Sequence, residues 1–101
     1  MGDLYRHGDV LIEAMPSLPP KREKLGHAIL AHGELTGHCH RIKESSEVDL
    51  YQTSAGTFLH VRDRSVTVVH EEHTAIKLSP GYYRVWRPRE YTPKGIQVVR
   101  D

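Results

Sequence analysis

Three short stretches hold most of the side chains in this chain that could do chemistry. They are Thr36-Gly37-His38-Cys39-His40-Arg41-Ile42, His70-Glu71-Glu72-His73 and Arg87-Pro88-Arg89-Glu90-Tyr91. Histidine is the side chain that most readily exchanges a proton near neutral pH, and with 8 histidines in 101 residues their clustering is informative. On an extended strand, residues two apart share a face. His38 and His40 are therefore expected side by side, followed by Ile42, with Cys39 and Arg41 turned the other way.

Two chemistries suit such a set. The first is metal binding, since two imidazoles on one strand face are a common half of a zinc, iron or nickel site. The run His38-Cys39-His40-Arg41-Ile42-Lys43-Glu44 reproduces the His-X-His-X3-Glu core of the first cupin motif. The match stops there. No comparable Pro-X-Gly continuation follows the glutamate, and Ser79-Pro80-Gly81-Tyr82 leads to no second histidine motif. A metal site would need His70 or His73 to complete it.

The second chemistry is metal-free acid–base catalysis on a phosphodiester. In RNA the ribose 2′-hydroxyl can attack its own neighbouring phosphate. The protein must then take one proton, give one to the leaving oxygen and steady the developing charge. Histidine suits both proton roles, and arginine or lysine suits the third. Each positioned acid or base contributes about 10²–10⁴-fold. On this reading His38, His40, His73 and Tyr91 are the catalytic candidates, with Arg84, Arg87, Arg89 and His70 binding substrate, and no cofactor or metal is expected.

Plainer readings stand beside these. His40 could hold a backbone carbonyl and only support His38, and residues 70–73 could be a polar turn whose glutamates orient the imidazoles. His7, His27, His32 and His60 are lone histidines among strand residues and read as structural or surface groups. Tyr82, Tyr83 and Trp86 read as core or interface, and Cys39 as a small core residue.

The elements that must position these groups are short. Residues 8–14, 28–32, 38–44, 48–52, 57–61, 65–69, 74–78 and 82–87 are apolar or alternating runs separated by Gly, Pro, Ser and charged turns. Residues 96–99 could add a last short strand, and residues 16–24 read as a loop with a charged tip. About eight short strands at this spacing predict an all-β fold, a small barrel or sandwich filling residues 1–101 as one domain. The edges of such a sheet need cover, which a second copy of the chain could supply.

Composition agrees. Hydrophobic content of 38% and charged content of 27% suit a folded, surface-rich domain. No apolar run approaches membrane-span length and no signal-peptide pattern opens the chain, so the expected location is the cytoplasm. One cysteine excludes an internal disulfide. The net charge of +1 is uneven: from Lys77 to Arg100 the chain carries Lys77, Arg84, Arg87, Arg89, Lys94 and Arg100 against Glu90 alone. That asymmetry favours an anionic partner, most simply phosphate.

Taken together, Gly8-Asp9-Val10-Leu11-Ile12, the His38–His40 pair, His70-Glu71-Glu72-His73 and the run from Pro80 to Tyr91 resemble a CRISPR-associated ring nuclease family. The resemblance implies a toroidal β-barrel formed by a homodimer, with histidine and tyrosine in the active site. It implies cleavage of cyclic oligoadenylate second messengers by metal-independent 2′-hydroxyl attack. The products would end in 2′,3′-cyclic phosphate, and type III CRISPR signalling would be switched off. No membrane and no duplex nucleic acid are expected as partners. The family's histidines fall on His38 and His40 with His73, and its tyrosine on Tyr91. Two alternatives remain: a cupin-like metal-binding protein, and a non-enzymatic module binding an anionic ligand through Arg84, Arg87 and Arg89.

Overall fold

The computed structural model describes residues 3–32 and 38–87, and the backbone alone of Arg89–Thr92 and Gly95–Val98. Twelve strands and one 3-10 turn (Ser45–Glu47) follow one another along the described chain. They are β1 (Leu4–His7), β2 (Val10–Met15), β3 (Glu23–Lys24), β4 (Ile29–His32), β5 (Cys39–Ile42), β6 (Val48–Thr53), β7 (Gly56–Val61), β8 (Val66–His70), β9 (His73–Leu78), β10 (Gly81–Trp86), β11 (Arg89–Thr92) and β12 (Gly95–Val98). Among the described residues no helix is long and apolar enough to cross a membrane.

The strands form a six-stranded sheet of order β1-β2-β10-β7-β6-β3, a four-stranded sheet of order β4-β5-β8-β9, and the β11-β12 hairpin. Strands that bury one face alternate, and the alternation sets the register. In β6 and β7 the pairs Val48–Val61 and Leu50–Leu59 both point inward. β2 adds Val10 and Ile12, and β10 adds Tyr83 and Val85. The four-stranded sheet answers with Leu30, Ile42, Val66, Val68 and Leu78 in the same cluster. The all-β expectation holds, as a sandwich of two antiparallel sheets around one shared core.

Some strands lie outside the runs expected from sequence. β1 and β3 are the two ends of the large sheet, so each pairs on one side only and carries exposed residues. His7 is their only buried residue, so neither shows the apolar pattern by which a strand is recognised. Three connections position the histidine-bearing segments. Gly8-Asp9 joins β1 to β2, and Gly8 adopts φ 63°, the left-handed region that suits glycine. Glu71-Glu72 joins β8 to β9, so that His70 and His73 are direct cross-strand partners. At the end of β5, Glu44 accepts the Thr67 backbone N–H at 2.7 Å and the Thr67 hydroxyl at 3.0 Å, bracing β5 against β8.

Candidate functional site

Two hairpin turns and the start of β5 converge on one group of imidazoles. His7 ends β1, His40 lies in β5, and His70 and His73 flank the β8–β9 turn. His7 and His40 are nearly fully buried, at 2% and 1% exposure. β5 alternates as expected, with His40 and Ile42 inward and Cys39 and Arg41 half-buried on the other side. Cys39 is thus not a core residue.

The β8–β9 turn is clamped onto β5 by its glutamates. Glu71 accepts the Cys39 backbone N–H and an Arg41 N–H, each at 3.0 Å. These bonds hold the Glu71 carboxyl down to about 2, the Cys39 amide being the largest cause. The Glu72 backbone N–H donates to His70 Nδ1 at 3.0 Å. Glu72 also reaches His38, with Oε1 at 3.5 Å from Nδ1.

The rings are packed together. Centroids lie 5.0 Å apart for His7–His40, 5.8 Å for His7–His73, 4.4 Å for His40–His70 and 4.6 Å for His70–His73. One nitrogen from each of His40, His70 and His73 lies within 4.8 Å of the other two. A second such group, His38, His70 and Glu71, shares His70 with the first. His7 Nδ1 and His40 Nδ1 are hydrogen-bonded at 2.8 Å.

Asp9, from the β1–β2 turn, organises the far side. Its Oδ1 is 3.2 Å from His40 Nε2, and its Oδ2 is 3.0 Å from Arg87 Nε. Arg87 also donates from Nη2 to the His32 carbonyl. Burial pushes His40 down to about 4, helped by the neighbouring His70 and His7 and opposed by Asp9. His40 is therefore neutral at physiological pH. With its Nε2–H turned to Asp9, its unprotonated nitrogen is Nδ1. A buried neutral imidazole oriented by a carboxylate is a metal ligand's arrangement, and a poor proton donor.

Of the residues singled out from sequence, His40, His70 and His73 are brought together, with His38 at the rim beside His70 (5.8 Å between centroids). Arg87 joins the site through Asp9. Arg84 does not: it alternates with the inward Tyr83 and Val85 and lies over Trp86 at 4.7 Å, on the outer face of the large sheet. The side chains of Arg89 and Tyr91 lie outside the described residues. Glu44 of the cupin-like run is spent on Thr67 rather than on the histidines.

Sequence reasoning missed His7 and Asp9. Their only local signal is a Gly-Asp turn at the end of a strand, and nothing local links that turn to His40. Residues 6–88 match the family model described as a domain of unknown function, DUF8820, so the chain belongs to that family. No curated protein and no solved structure matches it.

Proposed function

We propose that this DUF8820 protein is a metalloprotein holding one divalent first-row transition ion on His40, His70 and His73. The observation that carries the reading is the convergence of three imidazole nitrogens within 4.8 Å of one another, one ring buried and two half-buried. Imidazole sets of this kind suit zinc, copper, iron and nickel, whereas magnesium and calcium prefer oxygen. The Asp9 carboxylate behind His40 is the outer partner that metal-binding histidines commonly have. Ligation of His70 through either nitrogen gives up the Glu72 amide bond to Nδ1, because binding at Nε2 moves the ring proton to Nδ1, so uptake is sensitive to the state of that turn.

The test is elemental analysis of the purified protein, followed by chelator stripping and titration with Zn2+ or Co2+. One equivalent of tight uptake is expected, abolished in a His40→Ala/His70→Ala/His73→Ala variant. Equal uptake by both proteins overturns the reading.

A second reading has its own supporting observation, the Asp9–His40–His7 chain of contacts at 3.2 and 2.8 Å. Such a chain could orient an imidazole to take a proton in metal-free cleavage of a phosphodiester, and a cyclic oligoadenylate is the substrate the resemblance suggests. Turnover of cyclic tri-, tetra- or hexa-adenylate in excess chelator, lost in His38→Ala and His40→Ala, would establish it. Absence of turnover removes it. The dimeric toroid belongs to this second reading and is tested by the mass of the protein in solution.

A further inference from the structure

We infer that His7 supplies a fourth nitrogen to the same ion, making a closed tetrahedral site that pins the two sheets together. The inference rests on the three-histidine metal reading and adds a ligand, a geometry and a role.

The geometry comes first. All six pairs among His7, His40, His70 and His73 are ring neighbours, with centroids between 4.4 and 6.5 Å apart. An ion about 2.0–2.1 Å from four imidazole nitrogens in a tetrahedron spaces the ring centroids about 5 Å apart. The four rings already stand near that arrangement. His7 stands just outside the 4.8 Å span shared by the nitrogens of His40, His70 and His73, so its ligation draws that ring inward.

The nitrogen positions indicate which atoms would ligate. Asp9 occupies the Nε2 side of His40, which turns His40 Nδ1 towards His7 Nδ1 at 2.8 Å. At 2.8 Å the two nitrogens share a proton; around a tetrahedral ion they would stand about 3.3 Å apart, so the ion replaces that proton and parts the two rings slightly. Ligation through Nδ1 leaves each ring one proton on Nε2, and for His40 that proton already faces Asp9.

The placement in the fold gives the role. His7 belongs to the six-stranded sheet, whereas His40, His70 and His73 belong to the four-stranded one. Structural zinc sites are four-coordinate and closed, and catalytic ones keep a position open for water or substrate. With His7 and His40 at 2% and 1% exposure, the inner side of this cluster is closed to solvent. The ion therefore acts as a staple between the layers and is expected to exchange slowly.

X-ray absorption on the Co2+- or Zn2+-loaded wild-type protein reads the ligand count without any variant. Four imidazoles and no oxygen ligand are expected, whereas three imidazoles with one oxygen overturn the inference and leave the three-histidine reading intact. In His7→Ala, Co2+ affinity should fall at least tenfold, and the visible cobalt spectrum should return towards the wild-type form when free imidazole is added. An unchanged affinity and spectrum in a folded His7→Ala protein also overturn it. No uptake by wild-type protein overturns both this inference and the reading on which it rests.

Discussion

At the scale of single residues, the informative side chain is Asp9. Its carboxylate lies against His40 Nε2 and so fixes which nitrogen of that ring is available. Asp9→Asn keeps the size and removes the charge, and outer partners of this kind are worth about 10–100-fold in metal affinity. That loss is the expected result of a competition titration against a chromophoric chelator. His38→Ala should change affinity far less, because His38 stands at the rim, half-buried and paired with Glu72. The contrast also shows what was legible in the sequence. His38-Cys39-His40 and His70-Glu71-Glu72-His73 announce themselves by local spacing, and three of those four histidines do meet at the cluster's core. His7 and Asp9 sit more than thirty residues from His40, and only the pairing of whole elements brings them there. The order of importance within the His-X-His pair was also hidden, since it depends on which of the two faces Asp9.

At the scale of elements, alternation in β6, β7 and β10 was readable because each buries one face and exposes the other. β1 and β3 were not, because neither fully buries an apolar side chain. The Glu44 brace between β5 and β8 was equally hidden, since nothing marks Thr67 as its partner. Its hydrogen bonds lower the Glu44 pKa, the backbone bond from Thr67 being the largest cause. The sign comes from that direction. A carboxyl lowered in the folded state stabilises the fold above its unfolded value, about 4.3 for glutamate, and the contribution is lost as pH falls through the folded value. Denaturant midpoints measured from neutral to acid pH should show that loss, and Glu44→Gln should reduce its acid slope. The β6–β7 turn supplies a second test. Gly56 has φ 118°, a conformation that side chains rarely adopt, although an added Cβ would meet nothing within 4 Å. Gly56→Ala should therefore cost about 1–3 kcal/mol through backbone strain alone, measured by equilibrium unfolding.

At the scale of the whole molecule, the two sheets share one apolar cluster, and Leu59 is fully buried within it. Leu59→Ala should lower stability by about 2–5 kcal/mol, the cost of lost burial plus the cavity left behind. Thermal unfolding gives the complementary comparison. Adding Zn2+ to stripped protein should raise the melting temperature of the wild type and leave that of His40→Ala unchanged, since only an ion bound to the native state stabilises it. The strand order carries a different consequence. β10 lies between β2 and β7, and each of those pairs with it along five residues. The large sheet therefore has a gap at its centre that only residues 81–86 can fill, although both flanking hairpins are encoded before them. Assembly must wait for the late strand to be threaded between two partners already made. Such long-range closure sets a slow pace, and until it happens two strand edges stand open side by side in a half-built chain.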